Sequence, residues 1–174
     1  NKGKEHVAIR FGKITPGQPV ITRIHSECLT GDLFKSLKCD CGSQLESALQ
    51  SMQNAAEQGT GGILLYMRDE GRGIGLGNKL RAYKFQEQGL DTNEANEVLG
   101  LPADARSYQL PAAILKDLNI TQVQLITNNP NKIRGLEDEG IVVIREKIKS
   151  QENPHNAHYI ATKNAQMGHD IATQ

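Results

Sequence analysis

The sequence predicts an α/β fold, a single domain over residues 1–174 with a mixed or largely parallel sheet flanked by helices. Two observations lead to this prediction. Short runs of β-branched and other apolar residues alternate along the chain with longer segments that have the apolar spacing of helices, and this alternation is typical of α/β domains. The chain of 174 residues is also long enough to bury a core without disulfide bonds.

Five short segments have the apolar, β-branched character of strands. The first two are separated by a turn-rich stretch at residues 15–19, Thr-Pro-Gly-Gln-Pro, and the third is followed by a glycine-rich run. The predicted strands cover residues 7–11, 20–25, 63–66, 123–126 and 141–144.

The clearest predicted helix covers residues 43–58, where apolar residues recur every three or four positions. Ser43 and Glu46 form a capping-box pattern at its start, and Gly59 supplies a stop at its end. A shorter helix is expected after Asp91. The remaining predicted helices cover residues 78–88, 112–118, 131–139 and 157–167.

The charge balance argues against a nucleic-acid-binding surface. The chain carries 20 Lys and Arg and 20 Asp and Glu residues, and no run of consecutive basic residues is longer than two. No apolar stretch is long enough to span a bilayer, and no signal peptide opens the sequence. We therefore expect neither a nucleic acid nor a membrane as partner. Because the first residue is not Met, we also expect the N-terminal part of the natural protein to be missing here.

Three cysteines lie close together and form the sharpest chemical pattern of the sequence. Cys28 is followed, after a gap of ten residues, by Cys39 and Cys41. An odd, clustered set is typical of a metal or catalytic site in a reducing compartment rather than of a disulfide framework. Three thiolates can bind Zn²⁺ and leave one tetrahedral position for water, as in catalytic zinc sites. A structural site would need a fourth protein ligand, for which His25 and Glu27 are the nearest candidates.

Two other interpretations of the cysteine segment stay open. Free cysteines behave as small apolar residues and can be buried and inert, although the surroundings here are polar and turn-like. The sequence His25-Ser26-Glu27 also resembles the His-x-Glu of zinc nucleoside deaminases, but the Pro-Cys-x-x-Cys that follows it in those enzymes is absent. A deaminase therefore remains an alternative.

Two strand-to-helix junctions are candidate anion sites, because the N-terminus of a helix presents free N–H groups. The first is the run Glu-Gly-Arg-Gly-Ile-Gly-Leu-Gly at 70–77, which is neither a Walker A loop nor Gly-x-Gly-x-x-Gly. It contains Arg72, which is suited to forked phosphate contacts. The second covers 127–132, with Lys132 in the first helical turn. The alternatives are a tight turn in the first case and an ordinary helix cap in the second.

A series of short segments, taken together, points to a known family. Segments 23–32, 39–42, 70–75, 78–79, 91–92, 94–96, 104–106, 127–130 and 153–159 match the motifs of that family. The match keeps one register from about residue 6 to residue 168 and includes the ten-residue gap between Cys28 and Cys39. On these residues the chain resembles GTP cyclohydrolase II of riboflavin biosynthesis.

The resemblance implies roles for individual residues. The three cysteines would hold one catalytic zinc ion per chain. Asp104 and Arg106 match residues assigned to proton transfer and to attack on the α-phosphate, and Tyr83 matches a tyrosine beside the ring that is opened. The residues that the resemblance places around the nucleotide are Arg23, Ile24, His25, Ser26, Glu27, Gln44, Glu70, Gly71, Arg72, Thr92, Thr127 and Lys132.

The implied reaction takes GTP to a diamino-ribosylamino-pyrimidinone 5′-phosphate, formate and pyrophosphate, with Mg²⁺ assisting at the phosphates. The resemblance also implies a homodimer that works in the cytoplasm. Three alternatives differ in their products. A zinc nucleotide deaminase would release ammonia, a paralogue that stops at ring opening would leave a formylated pyrimidine, and a non-catalytic nucleotide-binding domain with structural zinc would release nothing.

For Arg106, physical chemistry disagrees with the implied role of attacking group. A guanidinium has a pKa above about 12 and is effectively never deprotonated in proteins. A carboxylate neighbour such as Asp104 stabilises the charged form further. We therefore expect a charged Arg106 that clamps the α-phosphate electrostatically while pyrophosphate leaves.

Overall fold

A five-stranded sheet forms the centre of the computed structural model, which describes residues 3–102, 104–148 and 150–168. Its spatial order is β1-β3-β2-β4-β5; β1 runs antiparallel to β3, and the other three pairings are parallel. The strands are β1 (Val7–Phe11), β2 (Val20–Ser26), β3 (Gly62–Met67), β4 (Gln122–Ile126) and β5 (Val142–Glu146). The predicted α/β fold with a mixed, largely parallel sheet is confirmed, and every predicted strand is present.

Helices connect the strands and cover both faces of the sheet. They are α1 (Leu29–Asp32), α2 (Cys41–Glu57), α3 (Leu76–Gln86), α4 (Thr92–Val98), α5 (Gln109–Asp117), α6 (Pro130–Glu137) and α7 (Ala157–Met167), with a 3₁₀ turn at Glu70–Gly73. The predicted helices are confirmed. The sequence does not predict α1 or the 3₁₀ turn, because a single helical turn is too short to show an apolar period. None of the described helices combines the length and apolar character needed to cross a membrane.

The start of α2 differs from the prediction. The helix begins at Cys41, two residues before Ser43, and Asp40 is its N-cap residue. The Ser43 hydroxyl donates to the backbone oxygen of Asp40 at 3.0 Å, and Glu46 pairs with Lys35. The capping-box prediction is therefore wrong, because the helix already starts at Cys41 and Ser43 lies inside its first turn.

Each face of the sheet buries its own apolar cluster, as expected for parallel strands covered on both sides. On one face, α2 packs the buried residues Ala48 and Met52 against Leu64 and Ile126. On the other face, α5 and α6 pack against β2, β3 and β4. That cluster contains Val20, Ile24, Ile63, Leu65, Met67, Ala112, Leu115, Ile120, Val123, Leu125, Leu136 and Ile141.

The carboxyl ends of β2, β3 and β4 meet at one edge of the sheet, because these strands run in parallel. The segments that follow them carry the residues singled out in the sequence: 27–28 after β2, 68–75 after β3 and 127–132 after β4. In open α/β sheets, ligands bind outside the carboxyl ends of the strands. The fold therefore brings these three segments to the place where a ligand is expected.

Candidate active site

The three cysteine thiols form one cluster between β2 and α2. Cys28 precedes α1 and Cys41 opens α2. All three cysteines are free thiols, and their Sγ atoms lie within 4.8 Å of one another. The Sγ atoms of Cys28 and Cys39 are 3.7 Å apart. Two sulfur ligands of a tetrahedral zinc ion, with Zn–S bonds of about 2.3 Å, lie ~3.8 Å apart, so these residues fit zinc.

The surroundings favour the thiolate form, which is the form that binds metals, at Cys28. Hydrogen bonds with Cys28 raise the pKa of Cys39 to about 11 and that of Cys41 well above its usual value. Hydrogen bonds with the thiols of Cys39 and Cys41, and then the ammonium of Lys79, hold the pKa of the Cys28 thiol well below its usual range. Lys79 Nζ lies 2.9 Å from Cys28 Sγ and donates to Glu70 Oε1, also at 2.9 Å. A largely buried lysine of α3 thus faces the thiols.

Neither candidate for a fourth zinc ligand belongs to the cluster. The Nε2–H of His25 donates to Asp32 Oδ1 at 3.0 Å, and burial lowers the pKa of His25, so this contact is a hydrogen bond of a neutral imidazole. Glu27 Oε2 accepts a hydrogen bond from Arg68 Nε at 2.9 Å. Among the described residues, the metal-binding group that His, Cys, Asp and Glu side chains form consists of the three cysteines. This set favours an open, catalytic zinc site.

Two glycines let α1 and α2 approach closely enough to gather the thiols. A Cβ atom at Gly31 would lie 2.9 Å from Cys39 Sγ and 3.1 Å from Cys28 Sγ. A Cβ atom at Gly42 would collide with the backbone oxygen of Gly31. A side chain at either position would therefore push α1 away from α2 and spread the sulfur atoms.

The 3₁₀ turn after β3 has an unusual backbone. Gly71 and Arg72 are both left-handed, with φ of 62° and 59°, and a positive φ is uncommon for a residue with a side chain. The turn lies against the segment that contains Ala105, whose N–H donates to the carbonyl oxygen of Arg72 at 3.0 Å. A Cβ atom at Gly73 would lie 3.2 Å from the Cβ of Ala105. The glycine-rich run therefore supports the segment at residues 104–106.

Asp104 and Arg106 form a forked ion pair. Arg106 donates from Nε to Asp104 Oδ1 at 2.8 Å and from Nη2 to Oδ2 at 2.5 Å, and its Nη1 donates to Ser26 Oγ at 3.2 Å. Burial alone would lower the pKa of Arg106, but the Asp104 carboxylate outweighs burial and raises this pKa. Burial would raise the pKa of Asp104, but the guanidinium outweighs it and lowers that pKa. Both groups are therefore charged.

Lys132 contributes a buried amine at the start of α6. Its Nζ donates to the backbone oxygen of Ile24 at 2.7 Å. Burial, followed by repulsion from Arg23 and Arg106, lowers the pKa of Lys132 well below its ordinary value. An anionic ligand close to Nζ would favour the protonated form again.

Tyr83 lies on α3, one helical turn after Lys79. The ammonium groups of Lys38 and Lys79 lie 5.3 Å and 5.9 Å from the centroid of its ring. Burial raises the pKa of Tyr83, so its hydroxyl keeps its proton and can donate a hydrogen bond.

Thr92, the first residue of α4, accepts a hydrogen bond from Gln86 at 3.4 Å.

Gln44 and Glu70 both have hydrogen-bond partners inside the protein. Gln44 Oε1 accepts from Arg23 Nη2 at 2.7 Å, and its Nε2 donates to Asp40 Oδ2 at 2.7 Å. Glu70 Oε2 accepts from the backbone N–H of Leu29 at 2.7 Å and so ties the 3₁₀ turn to α1. Their contacts show both residues holding the walls of the site in place.

One cavity of about 1040 Å³, counting its part open to solvent, connects the thiol cluster with the cationic residues. Ile24 and Asp104 do not line it: Ile24 contacts Lys132 through its carbonyl oxygen, and Asp104 contacts Arg106. The predicted residues that line the cavity are Arg23, His25, Ser26, Glu27, Cys28, Cys39, Cys41, Gln44, Glu70, Gly71, Arg72, Tyr83, Thr92, Arg106, Thr127 and Lys132. Apart from Ile24 and Asp104, the structure thus gathers the predicted metal, nucleotide and catalytic residues around one cavity.

Residues 1–148 match the family model of GTP cyclohydrolase II. The chain belongs to the GTP cyclohydrolase II family. It is 51% identical over 173 residues to the GTP cyclohydrolase-2 of Pseudomonas putida strain F1, covering 99% of this chain and 82% of that protein. Identity to the GTP cyclohydrolase-2 of Azotobacter vinelandii is 54% over 168 residues, with 96% and 79% covered. The riboflavin biosynthesis protein RibBA of Bacillus mycoides is 53% identical over 167 residues, which are 95% of this chain and 41% of that protein.

Sequence reasoning missed several residues that line the cavity of this GTP cyclohydrolase II family member. Lys79, Asn96 and Tyr159 belong to segments that match the family's motifs, and this signal could have found them; Lys163 has no such signal. The family model ends at residue 148, so Tyr159 and Lys163, on α7, lie beyond the part that it covers. The full missed set is Ile74, Lys79, Ala82, Gln86, Asn96, Asn128, Asn129, Tyr159 and Lys163.

Three buried polar atoms of cavity-lining residues have no hydrogen-bond partner in the described part of the chain. They are Nε of Arg23, Nδ1 of His25 and Oδ1 of Asn96. Buried polar groups in proteins are almost always hydrogen-bonded, and exceptions call for an explanation. These three atoms mark places in the cavity wall where the protein's own hydrogen bonding is incomplete.

Proposed function

We propose that this chain hydrolyses GTP and opens its guanine ring, releasing formate and pyrophosphate and leaving a diamino-ribosylamino-pyrimidinone 5′-phosphate. The observation that carries the proposal is the cavity that joins a metal-binding group of three thiols to buried cationic residues, Arg106 and Lys132 among them. A bound metal ion suits hydrolysis of a carbon–nitrogen bond, and cationic side chains suit binding of a triphosphate. The identity of 51% and 54% to proteins named GTP cyclohydrolase-2 supports the same activity.

Cys28, Cys39 and Cys41 would hold one zinc ion per chain. When bound, zinc supplies the Lewis acidity that activates water for hydrolysis. The protein contributes three thiolates at a spacing suited to tetrahedral ligation and an ammonium, Lys79 Nζ, 2.9 Å from Cys28 Sγ, which offsets part of their negative charge. Because the described residues offer three sulfur atoms at this point, a fourth position is left for a ligand that is not protein.

The triphosphate would lie toward the segments that follow β3 and β4. Arg72 lies in the first of these segments, and Lys132 lies in the first turn of α6, where backbone N–H groups also favour an anion. Mg²⁺ would accompany the phosphates, as the family resemblance implies, because it is usually bound through phosphate oxygens and water. The cationic side chains and Mg²⁺ would together offset the phosphate charge.

Arg106 would act as an electrostatic clamp on the α-phosphate. The role implied by the resemblance, attack by Arg106 itself, requires a neutral guanidinium. The forked contact with Asp104 raises the pKa of Arg106 and so keeps it charged. A charged, forked donor can follow the phosphate oxygens as pyrophosphate leaves, as arginine does in other phosphoryl transfers. Asp104 would fix its orientation.

Tyr83 would act beside the ring that is opened. It lines the same cavity as the cysteines and lies one helical turn from Lys79, which contacts Cys28. Its raised pKa keeps the hydroxyl protonated. Tyr83 would therefore donate a hydrogen bond, or a proton, to the opened ring.

The chain would work as a homodimer in the cytoplasm, as the resemblance implies. Three large apolar side chains between α1 and α2 support a protein interface: Leu33, Phe34 and Leu37 are 64%, 68% and 58% exposed. Clustered exposed apolar residues often mark interaction sites. Sedimentation velocity would test this, since Phe34→Ser should shift a dimer toward monomer.

Product analysis tests the proposed function directly. The protein is loaded with Zn²⁺ and incubated with GTP and Mg²⁺, and the products are identified by chromatography and mass spectrometry. We expect formate, pyrophosphate and the pyrimidine monophosphate in equal amounts. The Cys28→Ser variant serves as a control, because it removes one metal ligand and should release no formate.

Each alternative predicts a different product. Ammonia without formate would identify a deaminase, and a formylated pyrimidine would identify an enzyme that stops at ring opening. Unchanged GTP would indicate a nucleotide-binding domain that does not catalyse. Any of these three results would contradict the proposal.

A further inference from the structure

A buried ion pair joins the C-terminal helix to the cysteine cluster. Lys163 Nζ, on α7, lies 2.6 Å from Asp40 Oδ1, although the two residues are 123 positions apart in the sequence. The Asp40 side chain is 0% exposed and the Lys163 side chain 10%. Asp40 is also the single residue between Cys39 and Cys41. α7 therefore contacts the metal-binding turn at its centre.

The Asp40 carboxylate accepts further hydrogen bonds on its second oxygen. Ser150 Oγ donates to Asp40 Oδ2 at 2.8 Å, and Gln44 Nε2 donates to the same atom at 2.7 Å. The ammonium of Lys163 also lies 4.4 Å from the centroid of the Tyr159 ring, at a distance typical of cation–π contacts. Donors from α2, from residue 150 and from α7 thus converge on one carboxylate.

This carboxylate does not serve the usual purpose of an aspartate at the start of a helix. Asp40 is the N-cap residue of α2, yet its side chain makes no capping hydrogen bond. Burying an ion pair carries a desolvation penalty and is seldom a source of stability on its own. Because this buried pair does not cap the helix, we look for its role in what it holds in place.

We propose that Lys163 is a positioning residue of the metal centre. Through Asp40 it holds the turn at residues 39–41, so that the thiols on both sides of Asp40 stay directed toward the metal. α7 is then part of the active site, although the family model, which covers residues 1–148, does not include it. This inference rests on the zinc site of the proposed function, and outer partners of metal ligands are known to tune metal affinity.

Zinc release from the folded protein tests the inference without relying on activity. Zinc-loaded wild type, Lys163→Met and Asp40→Asn/Lys163→Met are mixed with a chromogenic zinc chelator, and the rate of zinc transfer is measured. Lys116→Met is the matched control, because Lys116 is an exposed lysine on α5. Circular dichroism and thermal melting report whether each variant is folded.

We expect Lys163→Met to release zinc about tenfold faster than wild type or more, the scale on which outer partners of metal ligands act. The control should match wild type. The double variant should release zinc as fast as Lys163→Met, because neutralising Asp40 does not restore the contact that holds the turn. With Co²⁺ in place of zinc, both variants should show shifted ligand-field bands, which a loss of global stability alone would not cause.

Two results would overturn the inference. One is wild-type release from a folded Lys163→Met variant, even if that variant melts at a lower temperature. Another is wild-type release from the double variant, since this would show that Lys163 only neutralises a buried charge. If Lys163→Met does not fold, the double variant, which leaves no uncompensated buried charge, decides alone. A wild-type protein that binds no zinc would instead overturn the metal centre of the proposed function itself.

Discussion

The cavity has a metal side around Cys28, Cys39 and Cys41 and a phosphate side around Arg106 and Lys132. These two sides differ in how their charges are balanced. On the metal side, each buried ammonium has a carboxylate partner: Lys79 lies 2.9 Å from Glu70, and Lys163 lies 2.6 Å from Asp40. On the phosphate side, Arg106 is paired with Asp104, but Lys132 donates to a backbone oxygen, and burial lowers its pKa. The protein thus balances both ammonium groups of the metal side by itself, whereas Lys132 on the phosphate side gains from the charge of a ligand.

This difference predicts how variants should behave. Changes on the metal side should disturb the site whether or not substrate is present, because its contacts lie within the protein. Changes on the phosphate side should appear mainly in substrate affinity, turnover and pH dependence. The experiments below compare the two sides, starting with the largest expected effect.

The largest effect is expected on the metal side, for Cys39→Ser. A hydroxyl is a far poorer zinc ligand than a thiolate, so bound zinc should be lost, and formate release should fall by at least about a thousandfold with the loss of metal-ion catalysis. Metal analysis and a formate assay measure the two effects. GTP binding should change only a fewfold, since the phosphate side is intact. Formate release within tenfold of wild type would contradict the assignment of the cysteines.

The next largest effect is expected for Arg106 on the phosphate side. Arg106→Ala should lower kcat by about 10²- to 10³-fold, the usual loss when one preorganised donor is removed from a transition state. Arg106→Lys keeps the charge but loses the forked geometry and should retain part of the activity. Steady-state kinetics measure both variants, and zinc content should stay at the wild-type level in each.

Intact-protein mass spectrometry during turnover separates the electrostatic role of Arg106 from the role of attacking group. An electrostatic clamp predicts that no nucleotide becomes bonded to the protein. A nucleotide bonded to Arg106 in the wild-type enzyme would decide against the clamp.

The two aspartate pairs show what a sequence can reveal about such a site. Asp104 and Arg106 are two positions apart, so their contact can be expected from a short motif. Asp40 and Lys163 are 123 positions apart, and no local pattern links them. The thiol cluster belongs to the first kind, since its ligands fall within 14 residues, from Cys28 to Cys41. The role of α7 belongs to the second kind, because its contact with Asp40 can be seen only in the folded structure.

The same division applies to the fold. Strand β3 could be predicted because it is buried almost throughout and forms a continuous apolar run. Strand β2 is also buried, but Thr22, Arg23 and His25 interrupt its apolar residues. The start of α2 could not be predicted, because the Asp40 carboxylate contacts Lys163 and Ser150 and does not cap the helix. The close approach at Gly31 and Gly42 is also a property of packing rather than of sequence pattern.

A smaller effect is expected for Tyr83, which lies between the two sides. Tyr83→Phe removes the hydroxyl and keeps the ring, so GTP affinity should stay within about twofold. Formation of the final product should slow by about a hundredfold, the lower end of the range for loss of a positioned proton donor. Rapid-quench analysis should show an intermediate building up before the product. Unchanged turnover would reduce Tyr83 to a packing residue.

The smallest effect is a pH dependence of nucleotide binding that arises at Lys132. The charged groups that act on its amine are Arg23, Arg106 and Lys163, which lower its pKa after burial, and Asp104, which raises it. Bound phosphate would raise the pKa of Lys132 again. Below the lowered pKa the lysine is protonated in the free and the bound protein, so affinity should not vary with pH. Above it, binding must take up a proton, so affinity should fall as pH rises.

The measurement uses a GTP analogue that is not hydrolysed, at pH values above about 7.5, where its phosphates are fully ionised. The dissociation constant should rise by up to about tenfold per pH unit, the limit for uptake of one proton. Lys132→Met should bind more weakly, and its affinity should not depend on pH in this range. Lys116→Met, an exposed control, should keep the wild-type pH profile. If Lys132→Met kept that profile as well, the titrating group would lie elsewhere, and the phosphate side would be as fully balanced by the protein as the metal side.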